Sequence, residues 1–565
     1  MLRRSRTNRR RGVVLLAVLI VVVVLSLAAY QYSEWITAEY QAADAYSRTA
    51  QAKALAQSGV NYVAATLANP QQVSDTLNGN PWNNPQAFQN VLVRDYGNGR
   101  QGVFTIVALG SPDDPNFMAQ PYQFGVVDEA GKINVNALLA LDGGKGDLAN
   151  QILMALPNMT DDVANSILDW LDPDDTPRTD GAEEEYYASL SPPYHCKNGP
   201  IDSLEELLLV KGVTPQLLYG NDRNRNGVLD PDEDDGSGQV DLGWSAYLTV
   251  FSREPNTDVN GNPRIYLNDP DIDTLAENLT TVLGSQDMAN YIVAYRLYGE
   301  AQPAAGGAAG GAAAPAPTTT TFTPLSGKDA DDVNTQLQTA RSQPTQQTPK
   351  PIKSIYDLIG SSVSVTIGTG PTARKVTMPN PLNDPGQMQT LLPLILDETT
   401  TTQNTDLTPR INVNTASQTV LQALATALQN NTPEAASATS GTQTAPAPAA
   451  SPVTLDDTDI QTILSTRPDP TSDQTPDPIF QTPAWLLTNA SLTPAKVKAI
   501  APYITARSQV YRFQSIGYFQ GGGPVGPVSR IEAVIDANNG RPRIIYERDL
   551  GTLGPGFDVT QFTGQ

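Results

Sequence analysis

Histidine and cysteine are almost missing: the 565 residues hold one of each, His195 and Cys196. A single cysteine excludes an internal disulfide. A single histidine excludes a zinc site built from several histidines and leaves a Ser/His/Asp triad without support. Positive charge is scarce too, with 36 basic against 59 acidic residues and a formal charge of −23. A polyanion repels phosphate backbones, so nucleic-acid binding is disfavoured and no nucleic-acid partner is expected. An acidic surface suits solubility and calcium. These scarcities leave no recognisable catalytic constellation, and the sequence reads as a non-enzyme.

Long hydrophobic runs are scarce with one exception, "VVLLAVLIVVVVLSLAAY" at 13–30. Its only strongly polar side chain is Ser26, and Arg3, Arg4, Arg6, Arg9, Arg10 and Arg11 precede it. About 20 apolar residues span a bilayer as a helix, and the positive flank stays cytoplasmic. A cleaved secretory signal has a shorter core of roughly 7–15 residues and a small-x-small site. Here more helix follows. Gly59 is the one glycine and Pro70 the first proline after the run. Apolar residues recur at near-helical spacing at Trp35, Tyr40, Tyr46, Leu55, Val60 and Leu67. The spacing predicts one continuous helix from about Val13 to Leu67, its first half in the membrane and its second half amphipathic.

A loop rich in Asn, Pro and Gln is expected after Asn69. Strands are predicted at 102–110 and 122–136, with a turn at Glu129–Gly131. At the far end, 509–519, 528–540 and 541–550 alternate as strands, and Asn539–Gly540 marks a hairpin. The two ends therefore predict one unit of a long helix and a small antiparallel sheet, interrupted by an insertion from about 137 to 508. "KINVN" (132–136), "RIYLN" (264–268) and "RINVN" (410–414) repeat one pattern. Each is followed by helical segments, the later ones at 160–172, 285–299 and 456–468, and by closing segments at 201–218, 352–365 and 480–500. Thr160, Asp162 and Ser285 are candidate N-caps, and Pro follows Thr214 and Thr493 at helix starts. Three related helical units are expected. Low-complexity stretches at 301–327 and 430–452, and the Thr run at 399–402, are expected to be mobile.

The sharpest local motif is "DRNRNGVLDPDE" (222–233), which fits D-x-[DN]-x-[DN]-G-x5-E. Asp222, Asn224 and Asn226 would offer side-chain oxygens, Val228 its carbonyl, Asp230 a direct or water-bridged oxygen, and Glu233 both of its oxygens. Gly227 permits the turn, and Leu229 is the apolar side chain that the loop packs. "DDGSG" follows, so the exit helix of a full helix–loop–helix is expected to be absent and the site to be structural. "DVNGN" (258–262) lacks a closing acid and reads as a turn. His195 and Cys196 read as loop packing. The acidic turn from Asp169 to Glu185 reads either as a solvated cap or as a second cation site.

The leader, the long helix and the ordered pattern at 167–213 carry a family resemblance. That pattern is an Asp-rich turn, Gly181-Ala182-Glu183, the pair Tyr186-Tyr187 and the Ser203–Leu207 helix start. The chain resembles type IV pilin-like proteins, and within them the minor pseudopilin K family of type II secretion systems. The resemblance implies a cytoplasmic leader 1–12, removed by prepilin peptidase between Gly12 and Val13. It also implies a retained helix and an α+β pilin-like fold with inserted SAM-like or helix-hairpin-helix units. Pilins mostly carry Glu at the fifth position after the cut; this chain has Ala17, and the absence of that Glu is a feature of the K family. The implied organisation is a transmembrane part 13–31, helix and first strands 32–136, units one and two 137–300, linker 301–349, unit three 350–508 and terminal strands 509–565. Also implied are minor pseudopilins I and J as partners, an inner-membrane anchor with a periplasmic bulk, and metal at the acidic turn through Asp172, Asp174 and Glu183. The alternative is a membrane-tethered DNA receptor using helix-hairpin-helix turns, but those at 156–162 and 283–287 lack paired glycines and carry acids.

Overall fold

The structure is a computed structural model that describes residues 9–68, 70–97, 99–141, 143, 147–301, 322–342, 349–368, 370, 373–430, 453–469, 477–521 and 526–563. The expected leader before Arg9 and most of the stretches 301–327 and 430–452 lie outside them. Helix α1 runs unbroken from Arg9 to Thr66, as the spacing predicts. From Gly12 to Gln51 nearly every side chain is exposed, whereas Ala52, Ala56, Val60 and Val63 are fully buried. That lower end lies on an antiparallel sheet in the order β1 (Val91–Gly97), β2 (Arg100–Leu109), β3 (Val510–Gln520), β4 (Ser529–Asp536), β5 (Arg543–Asp549). The central pair β2–β3 joins the two ends of the chain, with Phe104 opposite Gly517 and Val103 opposite Tyr518.

One face of the sheet packs Phe104, Ile106, Phe513 and Ile531 against α1. The other packs Val103, Val107, Ile516 and Tyr518 against Phe557, Val559 and Phe562 of the C-terminal tail. Central strands covered on both faces lose the apolar–polar alternation of a half-exposed sheet. The region expected as an Asn/Pro/Gln loop instead forms two helices, Pro70–Leu77 and Pro85–Phe88, and the edge strand β1. Asn84 caps the second helix by accepting from the Ala87 amide, with Pro85 at its first position.

Each copy of the repeated pattern begins a two-residue strand, and each pairs in parallel with a strand that closes its own unit. Ile133–Asn134 pairs with Leu248–Thr249, Ile265–Tyr266 with Thr399–Thr400, and Ile411–Asn412 with Ile504–Thr505. The last Asn of the pattern clamps the closing segment. Asn136 exchanges two hydrogen bonds with the Ile201 backbone (2.9 and 2.9 Å), and Asn268 does the same with Ile352 (2.9 and 2.8 Å). Asn414 donates to the Phe480 and Ala506 carbonyls.

These closures correct three expectations. Unit two runs from Ile265 to Thr400, so the division at 300 and 350 falls inside it. Within the expected linker 301–349, Gly327–Ser342 is a helix whose Val333 and Leu337 are buried. The Thr run is ordered, because Thr399 and Thr400 are buried in the closing strand of unit two. Among the candidate caps, Ser285, Thr214 and Thr493 each accept from a first-turn amide, but Thr160 makes no such bond and Asp162 lies inside the first turn. Residues 258–262 form a turn closed by the Asp258 amide donating to the Asn262 carbonyl at 2.8 Å.

Candidate metal centres

The 222–233 loop follows a one-turn helix, Pro215–Tyr219, that Thr214 caps. It turns back on itself where Arg225 and Gly227 take φ of +60° and +72°, a region that glycine enters at little cost. Asp222 accepts from the amides of Asn226 (3.0 Å) and Gly227 (2.9 Å). Glu233 reaches back across the loop, its Oε1 accepting from the amides of Arg223 (2.9 Å) and Asn224 (3.1 Å). Asp230 Oδ2 accepts from the side-chain amides of Asn224 (2.6 Å) and Asn226 (3.1 Å). Val228 follows the turn, its amide donating to Asn226 Oδ1 at 2.7 Å. Leu229 packs against Phe117, Val240 and Leu242. Hydrogen bonds thus link Asp222, Asn224, Asn226, Asp230 and Glu233 across the loop. Turns rather than an exit helix follow, as expected.

Asp222, Asn226 and Glu233 are buried, and Glu233 Oε2 has no hydrogen-bond partner. Burial pushes the Asp222 carboxyl up to about 6; the neighbouring Glu233 adds to this, and the Gly227 and Asn226 amides oppose it. Two buried carboxylates, one with an orphaned oxygen, form an all-oxygen set that fits a hard divalent cation such as calcium.

A second cluster lies on unit one. Carboxylate oxygens of Asp169, Asp172 and Glu183 lie within 4.8 Å of one another, and all three residues are buried. Asp169 projects from the helix Asp161–Leu171, Asp172 is its C-cap, and Glu183 precedes the helix Glu184–Ala188. Arg178 bridges Asp169 (2.7 Å) and Asp172. Asp172 Oδ1 and both Glu183 oxygens have no partner. Burial pushes the Glu183 carboxyl up to about 7; the carboxylates of Asp169, Asp172 and Asp175 add to this, and contact with the Cys196 thiol opposes it. Three unsatisfied carboxylate oxygens beside a single guanidinium fit a cation.

This cluster differs from the expected set. Asp174 is exposed and accepts from the Thr176 amide at 2.8 Å, outside the cluster. Asp169 takes its place, because positions 169 and 172 are neighbours on one helical face. That spacing was visible in the sequence. The position of Glu183 beside it was not, since the loop between them decides it. Of the pair expected to pack a loop, Cys196 lies against the core of unit one but His195 is exposed; the ring of His195 (2.6 Å) and the amide of Cys196 (2.9 Å) both bind Glu184.

At the other end, Gly12 has open space where a side chain would stand, and Val13 and Ala17 are exposed on α1.

Comparison with known proteins follows this geometry. Residues 131–219 match the family described as Type II secretion system (T2SS), protein K. That span covers the first part of unit one, which closes at Thr249, and includes the acidic cluster. A type II secretion system protein K of Escherichia coli strain K12 is 41% identical over 58 residues, 10% of this chain. The aligned part spans only 18% of that relative's length. A solved chain from the GspK-GspI-GspJ complex of the enterotoxigenic Escherichia coli type 2 secretion system is also similar. It gives a TM-score of 0.30 at 12% identity, covering 91% of this chain and 97% of that one.

Proposed function

We propose that this protein, which matches the type II secretion system protein K family over residues 131–219, is a minor pseudopilin of the K type. In this role it stands at the tip of the type II secretion pseudopilus and supports export of folded proteins across the outer membrane. The observation that carries the reading is α1. Its upper part, apolar over its first half, is exposed among the described residues, and its lower part is locked onto the sheet. A single helix of this kind serves first as a membrane anchor and then, after extraction, as a packing element among neighbouring subunits. In a pilin-type assembly the acid at the fifth position neutralises the amine of the subunit ahead. A tip subunit has none ahead, which accounts for Ala17. The three-unit insertion is also too bulky to fit between neighbours inside a fibre.

The partners in this reading are the minor pseudopilins I and J, reached through α1, together with prepilin peptidase and the inner membrane. The bulk of the chain lies in the periplasm. Calcium is a structural cofactor, held by Asp222, Asn224, Asn226, Val228, Asp230 and Glu233, and at a second site by Asp169, Asp172 and Glu183.

The deciding experiment replaces Gly12 with Trp. Among the described residues no atom lies within 4 Å of a Cβ added at Gly12, so the fold is expected to be intact while cleavage before Val13 is lost, read by the mass of the purified chain. Continued removal of the leader sinks the cut-site assignment. Failure of the processed chain to co-purify with pseudopilins I and J sinks the tip assignment.

A further inference from the structure

The 222–233 loop belongs to the insertion, yet the sheet holds it. Ile516 of β3 lies opposite Arg530 of β4, and Gln514 opposite Glu532. Residues two apart on a strand share a face, so these four side chains lie on the face that the C-terminal tail covers. Gln514 donates to the Arg225 carbonyl at 2.7 Å, and Arg530 donates to the Asn224 carbonyl at 2.7 Å. The Arg225 side chain reaches Glu532 at 3.8 Å and Glu205 of unit one at 3.0 Å.

The same loop holds the tail. The side-chain amide of Asn226 donates to the Gly556 carbonyl. Gly556 lies against Arg530, for a Cβ added there would stand 2.1 Å from Nη1. The ring of Phe557 lies 5.6 Å from the same guanidinium. Arg530 is thus enclosed between loop and tail, with no exposed surface. Among the described residues it has no carboxylate at ion-pair distance, and Asp222 and Glu532 act on it from farther away. A buried guanidinium is costly without acceptors. The tail therefore closes over Arg530 at low cost only while the Asn224 carbonyl is in place.

Asn226 is the second link. Its side-chain oxygen is one of the loop's donors toward a cation, and its side-chain nitrogen is the bond to the tail. The amide is planar, so fixing the oxygen also fixes the direction of the nitrogen.

We propose that occupancy of the 222–233 loop by calcium locks the C-terminal tail onto the sheet, with Asn226 and Arg530 as the positioning residues that link the two. This rests on the calcium reading given above. An occupied loop holds the Asn224 carbonyl and the Asn226 nitrogen where Arg530 and Gly556 need them. In an empty loop the buried carboxylates of Asp222 and Glu233 repel each other, and the orphaned Glu233 Oε2 stays unsatisfied. The loop then loosens, and with it the tail residues Phe557, Val559 and Phe562 that cover this face.

The test is hydrogen exchange of the full chain in detergent, with calcium or with a chelator, followed in the loop 222–233 and the tail 551–563. An ion at about 100 times its Kd suppresses an opening that breaks its site by about 100-fold. A tail opening that only loosens the loop should be slowed about tenfold. Asn226→Asp keeps an oxygen for the ion and removes the donor to Gly556. Its loop should still respond to calcium, while its tail should respond by no more than about twofold. Glu183→Gln, which disables the second cation site, should leave both responses unchanged. A tail that ignores calcium while the loop responds overturns the proposal and leaves the ion assignment standing. So does a full tail response in Asn226→Asp, or a tail response lost in Glu183→Gln. A loop that ignores calcium sinks the ion assignment and the proposal with it.

Discussion

Glu129 has no exposed surface, yet its carboxylate stays charged. Burial pushes its pKa up, but Arg512 at 2.9 and 3.0 Å and Lys132 at 3.6 Å more than offset this and hold it at about 2. A carboxyl lowered in the folded state stabilises above its unfolded pKa, and that contribution is lost as pH falls toward the folded one. The loss should therefore fall between about pH 4.5 and pH 2. Glu129→Gln should cost about 3 kcal/mol near neutral pH, the low end for a broken buried pair, because Arg512 keeps Glu532 at 2.9 Å. It should also flatten the acid limb, and urea midpoints near pH 7 and pH 3 check both. At the same scale, calcium at about 100 times its Kd should stabilise the chain by about 2.7 kcal/mol per site. Asp222→Ala with Glu233→Ala should remove one such increment and Glu183→Gln the other. A thermal midpoint indifferent to calcium would refute the ion assignment.

At the element scale, the decisive contact is between α1 and β3. Gly517 lies under the helix, where an added Cβ would stand 2.2 Å from the Ala52 carbonyl oxygen and 2.3 Å from the Ala56 amide nitrogen. Gly59, in the lower part of the helix, faces back, and a Cβ there would stand 2.1 Å from Ser515 Oγ. Ser515 uses that closeness to donate to the Ala56 carbonyl at 2.7 Å. Two glycines at one crossing let helix and strand backbones touch. Gly517→Val must push them apart, since backbone cannot move aside as a side chain can. It should cost about 3 kcal/mol, read as a lower urea midpoint. Gly59→Ala should cost less, because Ser515 can rotate.

On the scale of the whole molecule, the insertion behaves as one body. A single apolar core runs from Ile133 to Ala506 through all three units. The helix Gln418–Asn430 of unit three packs on Asp147–Met154 of unit one, and the Thr419 amide donates to Asp113 at 2.7 Å. The units should therefore melt together, because none buries its apolar face alone. An isolated 131–249 fragment should be markedly more protease-sensitive than a 131–506 fragment, and equal resistance would show that the units are independent.

The sequence by itself determined what short-range periodicity and spacing encode. Helix α1 was legible because helical spacing and the absence of proline before Pro70 are local facts. So was the 222–233 loop, whose oxygen donors all lie within twelve residues, and so were the repeats, whose pattern recurs as text. Only the tertiary structure decided what depends on distant partners. Strand β1, VLVRDYG, was missed because an exposed edge strand without apolar–polar alternation is specified by its neighbour β2, not by its own pattern. The Thr run looked like a linker, yet Ile265 and Tyr266 recruit it as a closing strand. Asp169 displaced Asp174 because burial and the path of the 173–182 loop, not proximity in sequence, choose which carboxylates converge. That Arg264 braces the Asp397 carbonyl, as Lys132 braces that of Ser245 and Arg410 that of Ala501, became visible only once three repeats could be compared in space. A motif names the residue, but the free energy of a buried charge depends on which groups the whole fold places around it.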